Sequence, residues 1–489
     1  MPVFSLPTKY GIGTLGKCAY DFIDFLEKAG QSYWQILPIS PTNYGDSPYQ
    51  SFSSFAGNPY FIDLDLLAQD GLLKESEYNQ VDFGDNNCRI DYEKMYHNRY
   101  PVLKLAAERF FEKPDRDFDE FCEQHNSWLH TYALFMAIKD NSVGKSFLEW
   151  ERPLMLREGD AIKKAAADFA EDIKFYKFLQ FAFFKQWNEL KEYANACGIK
   201  IIGDMPIYVA ADSAEVWSEP EQFDLREDLK PRVVSGCPPD AFSEDGQLWG
   251  SPVYRWDYMK KEKNPYGWWK KRIAHALNLF DVLRIDHFRG FESFYTIPFG
   301  AEDAKKGEWV KGPGKELFDE ISKELGGQLP IIAEDLGLLT ESVKQMLKET
   351  GFPGMKVLQF AFGGEDSDYL LHNHTKNGIV YIGTHDNDTA LGWRDSLDAD
   401  DLKKVSAYIN CKDQNAFNWD MIKVAMISPC DTAIFMMQDF IGLGSEGRIN
   451  TPSTSGENWQ WRIAEGCAND WLAGIIKDCT KTYGRLPKK

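Results

Sequence analysis

Three short segments place acidic residues at the ends of apolar runs: LRIDHFRG at 283–290, IIAEDLG at 331–337 and GTHDNDT at 383–389. Side chains alternate along a strand, so Arg284 and Asp286 point to one face. A guanidinium there lowers the carboxyl pKa and keeps it ionised, as a nucleophile must be. Standing alone, this spacing reads as a structural salt bridge. In IIAEDLG, Ile332 and Glu334 share a face and Asp335 turns away. Burying an ionised glutamate is costly, so its pKa should rise, which suits a general acid. Alone, Glu334 fits an exposed strand end equally well. The turn holding His385, Asp386, Asn387 and Asp388 could bind a metal, yet the other His and carboxylates show no matching ligand spacing. Hydrogen bonding to sugar hydroxyls is the better reading, with an ordinary capped loop as the alternative. His372 and His374 form an HxH in LLHNHTKNG and read as solvated side chains, not ligands.

Taken together, three carboxylates at three strand ends point to glycosidic-bond chemistry. Such enzymes flank the scissile bond with two carboxyl groups, roughly 5–5.5 Å apart when configuration is retained. A third can grip hydroxyls of the distorted sugar and stabilise an oxocarbenium-like transition state.

The elements that must hold these groups are legible as short β-rich segments: Tyr33–Ile39, Lys200–Val209, Phe280–His287, Pro330–Asp335, Met355–Phe360, Ile379–Asp386 and Thr432–Phe440. Most begin as near-continuous apolar runs, as strands buried on both faces do. Helical stripes lie between many of them. Lys17–Ala29 carries Phe22, Ile23, Phe25, Leu26 and Ala29 on one side with Gly30 as a stop. Thr340–Thr350 has Thr340 as N-cap and Gly351 at its end. Alternating strands and helices with polar strand ends favour a (β/α)8 TIM barrel. An open doubly wound sheet is the rival, but no GxGxxG follows an early strand. The first strand has only Met1–Ser5 available and should be short. The chain reads as one catalytic barrel over 1–489. A mostly helical insertion subdomain is expected at 42–199, between the second and third strands, including amphipathic helices at Asp117–Lys139 and Lys174–Cys197. A further active-site loop and helical insertion is expected at 210–275.

Composition narrows the partners. A net charge of −20 argues against nucleic acid and anionic membranes. No run approaches the roughly 18 apolar residues of a membrane helix, and no basic stretch followed by an apolar one marks a secretory leader. Nine cysteines without a CxxC read as reduced, mostly buried thiols of a cytosolic protein. Aromatic residues are abundant: 33 Phe, 22 Tyr and 15 Trp could stack on sugars, but core filling accounts for most.

The motifs also carry a resemblance spanning nearly the whole chain. SLPTKYGIGTLG, SPYQSFSSFAGNPYFIDL, GDMPIYVAADSAEVW, GCPPDAFSEDGQLWGSPVY, LRIDHFRG, IIAEDLG, GTHDNDT and GRINTPSTSGENWQWR, in this order, resemble the amylomaltases, the 4-α-glucanotransferases of glycoside hydrolase family 77 in the α-amylase clan. The resemblance implies Asp286 as nucleophile, Glu334 as acid and base, and Asp386 as transition-state stabiliser. It implies that Arg284 and His385 bind or orient nearby and that Asp204 closes the subsite. Ser47, Tyr49, Gln247, Trp249 and Asn450 match positions lining the glucan channel; Tyr49 would stack on a sugar, and for Trp249 simple loop packing is equally plausible. Substrates would be maltooligosaccharides and α-1,4-glucans with glucose as an acceptor, without metal or organic cofactor. The aromatic-rich loop Pro238–Trp256 is a candidate water shield. Relatives start earlier with a fuller first strand. True α-amylases carry Asn and His shortly after the residue matching Asp204, where this chain has Pro206, Ile207 and Tyr208, which favours transfer over hydrolysis. A glucan hydrolase with the same carboxylates, a catalytically idle glucan-binding protein and a metal-dependent barrel hydrolase are the alternatives.

Overall fold

A computed structural model describes residues 1–43, 45–239, 244–337, 339–364, 366–454 and 456–487. Its strands are β1 (Tyr33–Gln35), β2 (Lys200–Met205), β3 (Val233–Cys237), β4 (Gln247–Pro252), β5 (Val282–Ile285), β6 (Ser293–Pro298), β7 (Glu308–Lys311), β8 (Ile331–Ala333), β9 (Gly354–Val357), β10 (Gly378–Tyr381) and β11 (Thr432–Ile434). Seven of them pair in parallel in the order β1-β2-β5-β8-β9-β10-β11, a nearly closed barrel. Each of the seven overlaps one of the segments expected to be strands, β9 and β10 starting one residue earlier, at Gly354 and Gly378.

Register explains the barrel interior. Ile202 pairs with Val282, Arg284 with Ile332, Met355 with Ile379 and Tyr381 with Ile434. Alternation therefore turns Ile202, Ile332, Met355, Val357, Ile379 and Tyr381 inward, where they form a buried cluster of their own. The opposite faces, with Trp34, Ile201, Leu283, Ile285, Ile331 and Val380, join the main core beneath the helices. That two-sided burial is why the strands read as apolar runs.

Helices form where the stripes predict them. Lys17–Lys28 buries Ala19, Phe22, Ile23, Phe25 and Leu26. Glu341–Thr350 is capped by Thr340, whose hydroxyl accepts the Val343 N–H at 3.4 Å, and ends at Gly351 with φ +72°, a conformation that favours glycine. Between β1 and β2 lie the helices Leu64–Gln69, Tyr92–Glu112, Arg116–Gln124, Leu129–Asn141, Gly159–Asp168 and Ala170–Ala196.

Four details depart from the sequence reading. Val3–Ser5 is a single 3-10 turn, not a short first strand, because its backbone groups go to loops: Gly13 N–H donates to Phe4 and Ile463 N–H to Ser5, both at 2.9 Å. Asp117–Lys139 is broken at 125–128, so that the His125 and Trp128 rings turn onto His275 and Phe184. His374 is buried, not solvated, with Nδ1 2.8 Å from Ser428 Oγ and Nε2 2.9 Å from the Tyr369 carbonyl. The cysteines are all free, but only Cys411 and Cys430 are buried and Cys88 is exposed. A second, antiparallel sheet, β4-β3-β6-β7, had no signal in the chain's periodicity. No helix among the described residues is long and apolar enough to cross a membrane.

Candidate active site

Asp204, Arg284 and Ile332 are direct cross-strand neighbours on β2, β5 and β8. One step beyond the Ile285–Ala333 pair stand Asp286 and Glu334, so adjacent parallel strands deliver them side by side. The Asp286 N–H donates to the Met205 carbonyl and the Glu334 N–H to the Ile285 carbonyl, both at 3.0 Å, which continues the ladder up to the two residues.

Arg284 is the buried cation of the site. Its Nη1 lies 2.8 and 2.6 Å from the two Asp204 oxygens and 3.1 Å from Asp286 Oδ1, while Nε points at the Met355 sulfur. Tyr49 donates its hydroxyl to Asp204 Oδ2 at 3.0 Å, and burial, then the Asp204 charge, holds its phenol well above the ordinary value. The Tyr49 ring stacks on His385 at 5.1 Å and 20°, and Trp459 packs against both rings at 5.8 Å.

Glu334 is held by main-chain donors. His287 N–H reaches Oε2 at 2.6 Å and Leu336 N–H reaches Oε1 at 2.9 Å. His287 can aim its N–H this way because it adopts the left-handed region, φ +52°, a strain uncommon outside glycine. Burial, reinforced by the Asp286 charge, raises Glu334 to about 7. Asp286 is also raised, to about 6: burial outweighs the stabilising Arg284 charge, and Asp204 adds repulsion. Sequence reasoning weighed only the guanidinium and expected a lowered value. Two interacting carboxyls titrate as a pair. Asp335, facing away, is buried and accepts the Met355 N–H at 2.6 Å, so it ties β8 to β9.

Asp386 sits in the turn after β10. Asn450 Nδ2 donates to its Oδ1 at 2.6 Å, His385 Nε2 lies 3.4 Å from the same oxygen, and Arg448 donates to its carbonyl at 2.7 Å. Asn450 N–H in turn donates to the His385 carbonyl at 3.1 Å. Trp249 and Gln247 are on β4, not a free loop; Trp249 Nε1 donates to Gln247 Oε1 at 3.1 Å, and its ring stands edge-on to His287 at 4.7 Å. Ser47 Oγ accepts the Tyr49 N–H at 3.3 Å. Part of the expected shield, at 240–243, lies outside the described residues.

Contacts and register thus bring together Asp204, Arg284, Asp286, Glu334, Tyr49, His385, Asp386 and Asn450. Sequence reasoning missed His287, Trp459 and Arg448, all of which lie inside quoted motifs; His287 acts through its backbone, Trp459 through packing and Arg448 through its guanidinium on the Asp386 carbonyl. Among the described residues, no three His, Cys, Asp or Glu side chains gather as a metal site.

A family described as 4-alpha-glucanotransferase matches residues 1–468. The chain is 50% identical over 488 residues to a 4-alpha-glucanotransferase of Clostridium butyricum, covering 99% of this chain and 100% of that one. It is 46% identical over 474 residues to that of Thermus thermophilus, covering 94% and 93%. The solved amylomaltase from Streptococcus agalactiae in complex with acarbose superposes with a TM-score of 0.97 at 41% identity, covering 100% of this chain and 99% of that one. The chain belongs to the 4-alpha-glucanotransferase family.

Proposed function

We propose that Asp286 and Glu334 carry out a retaining double displacement on α-1,4-glucans, with Asp386 gripping the distorted sugar. The family and its amylomaltase likeness make the protein a glucanotransferase; the residue roles are our reading. The Asp286 carboxylate attacks the anomeric carbon, the bond to the leaving 4-oxygen breaks, and Glu334 gives that oxygen its proton. The ionised Glu334 then takes the proton of an acceptor 4-hydroxyl, whose oxygen attacks the same carbon and releases Asp286. Net retention follows from two inversions.

One observation carries the assignment: Asp286 and Glu334 directly follow the last paired residues of two adjacent strands, which lie about 4.8 Å apart, suited to the short separation of retaining pairs. Their environments divide the labour. Asp286 faces the Arg284 cation, whereas burial and the Asp286 charge favour a proton on Glu334 and outweigh the main-chain donors that orient it. The His385–Asp386–Asn450 group offers donors and an acceptor for sugar hydroxyls. Acarbose, bound by the Streptococcus agalactiae amylomaltase, supports oligosaccharide substrates in this cleft, with maltooligosaccharides as donors and glucose among the acceptors. The free thiols suit a reducing cytosol.

Maltotriose incubated with the purified protein, without phosphate or cofactor, tests the reading. Glucose, maltopentaose and a longer ladder are expected. Glucose and maltose alone would show hydrolysis, and an unchanged ladder in Asp286→Ala would remove Asp286 from the chemistry.

A further inference from the structure

Trp309 sits on β7, the outer strand of the antiparallel sheet, whose four residues are all exposed. Its indole is 43% exposed, whereas Tyr295, opposite it on β6, is buried. The two rings meet edge-on at 5.3 Å. The Arg289 guanidinium lies over the indole, 4.0 Å from the ring centroid. An indole held on one face and one side, yet exposed to this extent, presents its other face to solvent.

The strand is pinned to the segment that follows the proposed nucleophile. Arg289 belongs to the 3-10 turn Phe288–Phe291, directly after His287. Just past β7, Gly312 N–H donates to the Glu292 carbonyl and Gly314 N–H to the Phe291 carbonyl, both at 2.7 Å. A Cβ at Gly312 would stand 2.2 Å from the Phe291 carbonyl oxygen, so this close approach requires glycine. Before β7, the Tyr295 hydroxyl accepts the Gly307 N–H and donates to the Ala304 carbonyl, both at 3.0 Å. The indole is therefore fixed before any ligand arrives, which lowers the entropy lost on binding.

Arg289 also connects the indole to the chemistry. Burial, and then the Arg289 charge, lower His287 to about 3, and the charges of Arg289 and Glu334 act on each other. On the proposed roles Glu334 serves the leaving oxygen and the acceptor hydroxyl, so groups on its side of the site meet the acceptor. Trp309, reached from Glu334 through Arg289, lies further out than the sugar that carries the reacting hydroxyl.

We propose, on the assignment of Glu334 as acid and base, that Trp309 is an acceptor platform. Its free face stacks on the second or a later sugar of an incoming maltooligosaccharide and favours such acceptors over glucose. The C–H faces of a glucose ring are apolar enough to lie flat on an indole.

The test uses α-maltosyl fluoride lacking its terminal 4-hydroxyl, which can donate but not accept, with glucose or maltotriose as acceptor. Trp309→Ala should raise KM for maltotriose about tenfold relative to KM for glucose. Trp309→Phe, which keeps a ring, should raise it less. An unchanged ratio in Trp309→Ala, whether neither acceptor or both bind more weakly, would overturn the platform. Glu334→Gln, run in parallel, should release one burst of fluoride and transfer to neither acceptor. Steady transfer by that variant would overturn the acid-base assignment itself, and the acceptor side with it.

Discussion

Arg284 approaches Asp204 more closely than Asp286, at 2.6 Å against 3.1 Å. One cation is thus shared between the buried Asp204 and the half-buried Asp286, and the one assigned to catalysis receives the smaller share. This explains why Asp286 is raised to about 6 despite a guanidinium beside it: partial compensation does not offset burial.

Asp204→Asn should shift the balance. With its competitor gone, Arg284 acts on Asp286 alone, and the repulsion from Asp204 vanishes. The acid limb of kcat/KM for maltotriose should move below the wild-type position, although kcat falls because Arg284 and Tyr49 lose an anchor. A limb that stays in place or moves upward contradicts the shared-cation account.

The same two groups define a narrow pH optimum. On the proposed roles activity requires Asp286 ionised, so it should rise as pH passes about 6, and Glu334 protonated, so it should fall as pH passes about 7. A bell-shaped kcat/KM profile centred between these values is expected. Since the pair is coupled, the limbs report apparent values of both carboxyls together. A profile flat from pH 5 to 9 would exclude this division of roles.

Trp249 packs edge-on against His287, whose N–H holds Glu334. Removing the indole in Trp249→Ala should loosen that donor and admit water. The ratio of transfer products to free hydrolysis products from maltoheptaose should fall several-fold, with a smaller loss in donor consumption. An unchanged ratio would leave the indole as packing alone.

The fold was legible because it depends on local pattern. Seven apolar runs became the seven parallel strands, and the Thr340 and Gly351 caps bound a helix where expected. In the candidate site, Asp286, Glu334 and Asp386 could be nominated because acidic residues ending apolar strands are costly and therefore conspicuous. What stayed hidden depends on partners distant in sequence. His287 contributes through a left-handed backbone that no residue type signals, and Trp459 joins Tyr49 and His385 from the far end of the chain. The sign of the Asp286 shift required knowing how far burial outweighs Arg284, with Asp204, on another strand, adding repulsion. The antiparallel sheet carrying Gln247 and Trp249 pairs segments as distant as 247–252 and 308–311 through β3 and β6, and its short irregular strands lack a clean period.

Asp439 links pH to stability outside the reacting carboxylates. It is buried, accepts the Ala390 N–H at 2.7 Å, and is raised to about 7 by burial, with Asp388 adding repulsion. Its folded value lies above the usual carboxyl value, so the folded state binds the extra proton and stability declines as pH rises from about 4 through 7. Asp439→Asn should therefore raise Tm at pH 8, by roughly 1–3 kcal/mol of stability, and do little near pH 4. Thermal denaturation at the two pH values checks this; equal effects at both would show that the carboxyl is not protonated on folding.

The central claim is that Asp286 becomes covalently bonded to the glucan. Glu334→Gln treated with α-maltotriosyl fluoride, whose leaving group needs no proton, should accumulate the glycosyl-enzyme because the acceptor lacks its base. Peptide mass spectrometry after acid quench should find one maltotriosyl group on the peptide containing Asp286 and none when Asp286→Ala is added. A label on another carboxylate, or complete turnover with no trapped sugar in Glu334→Gln, would contradict the mechanism.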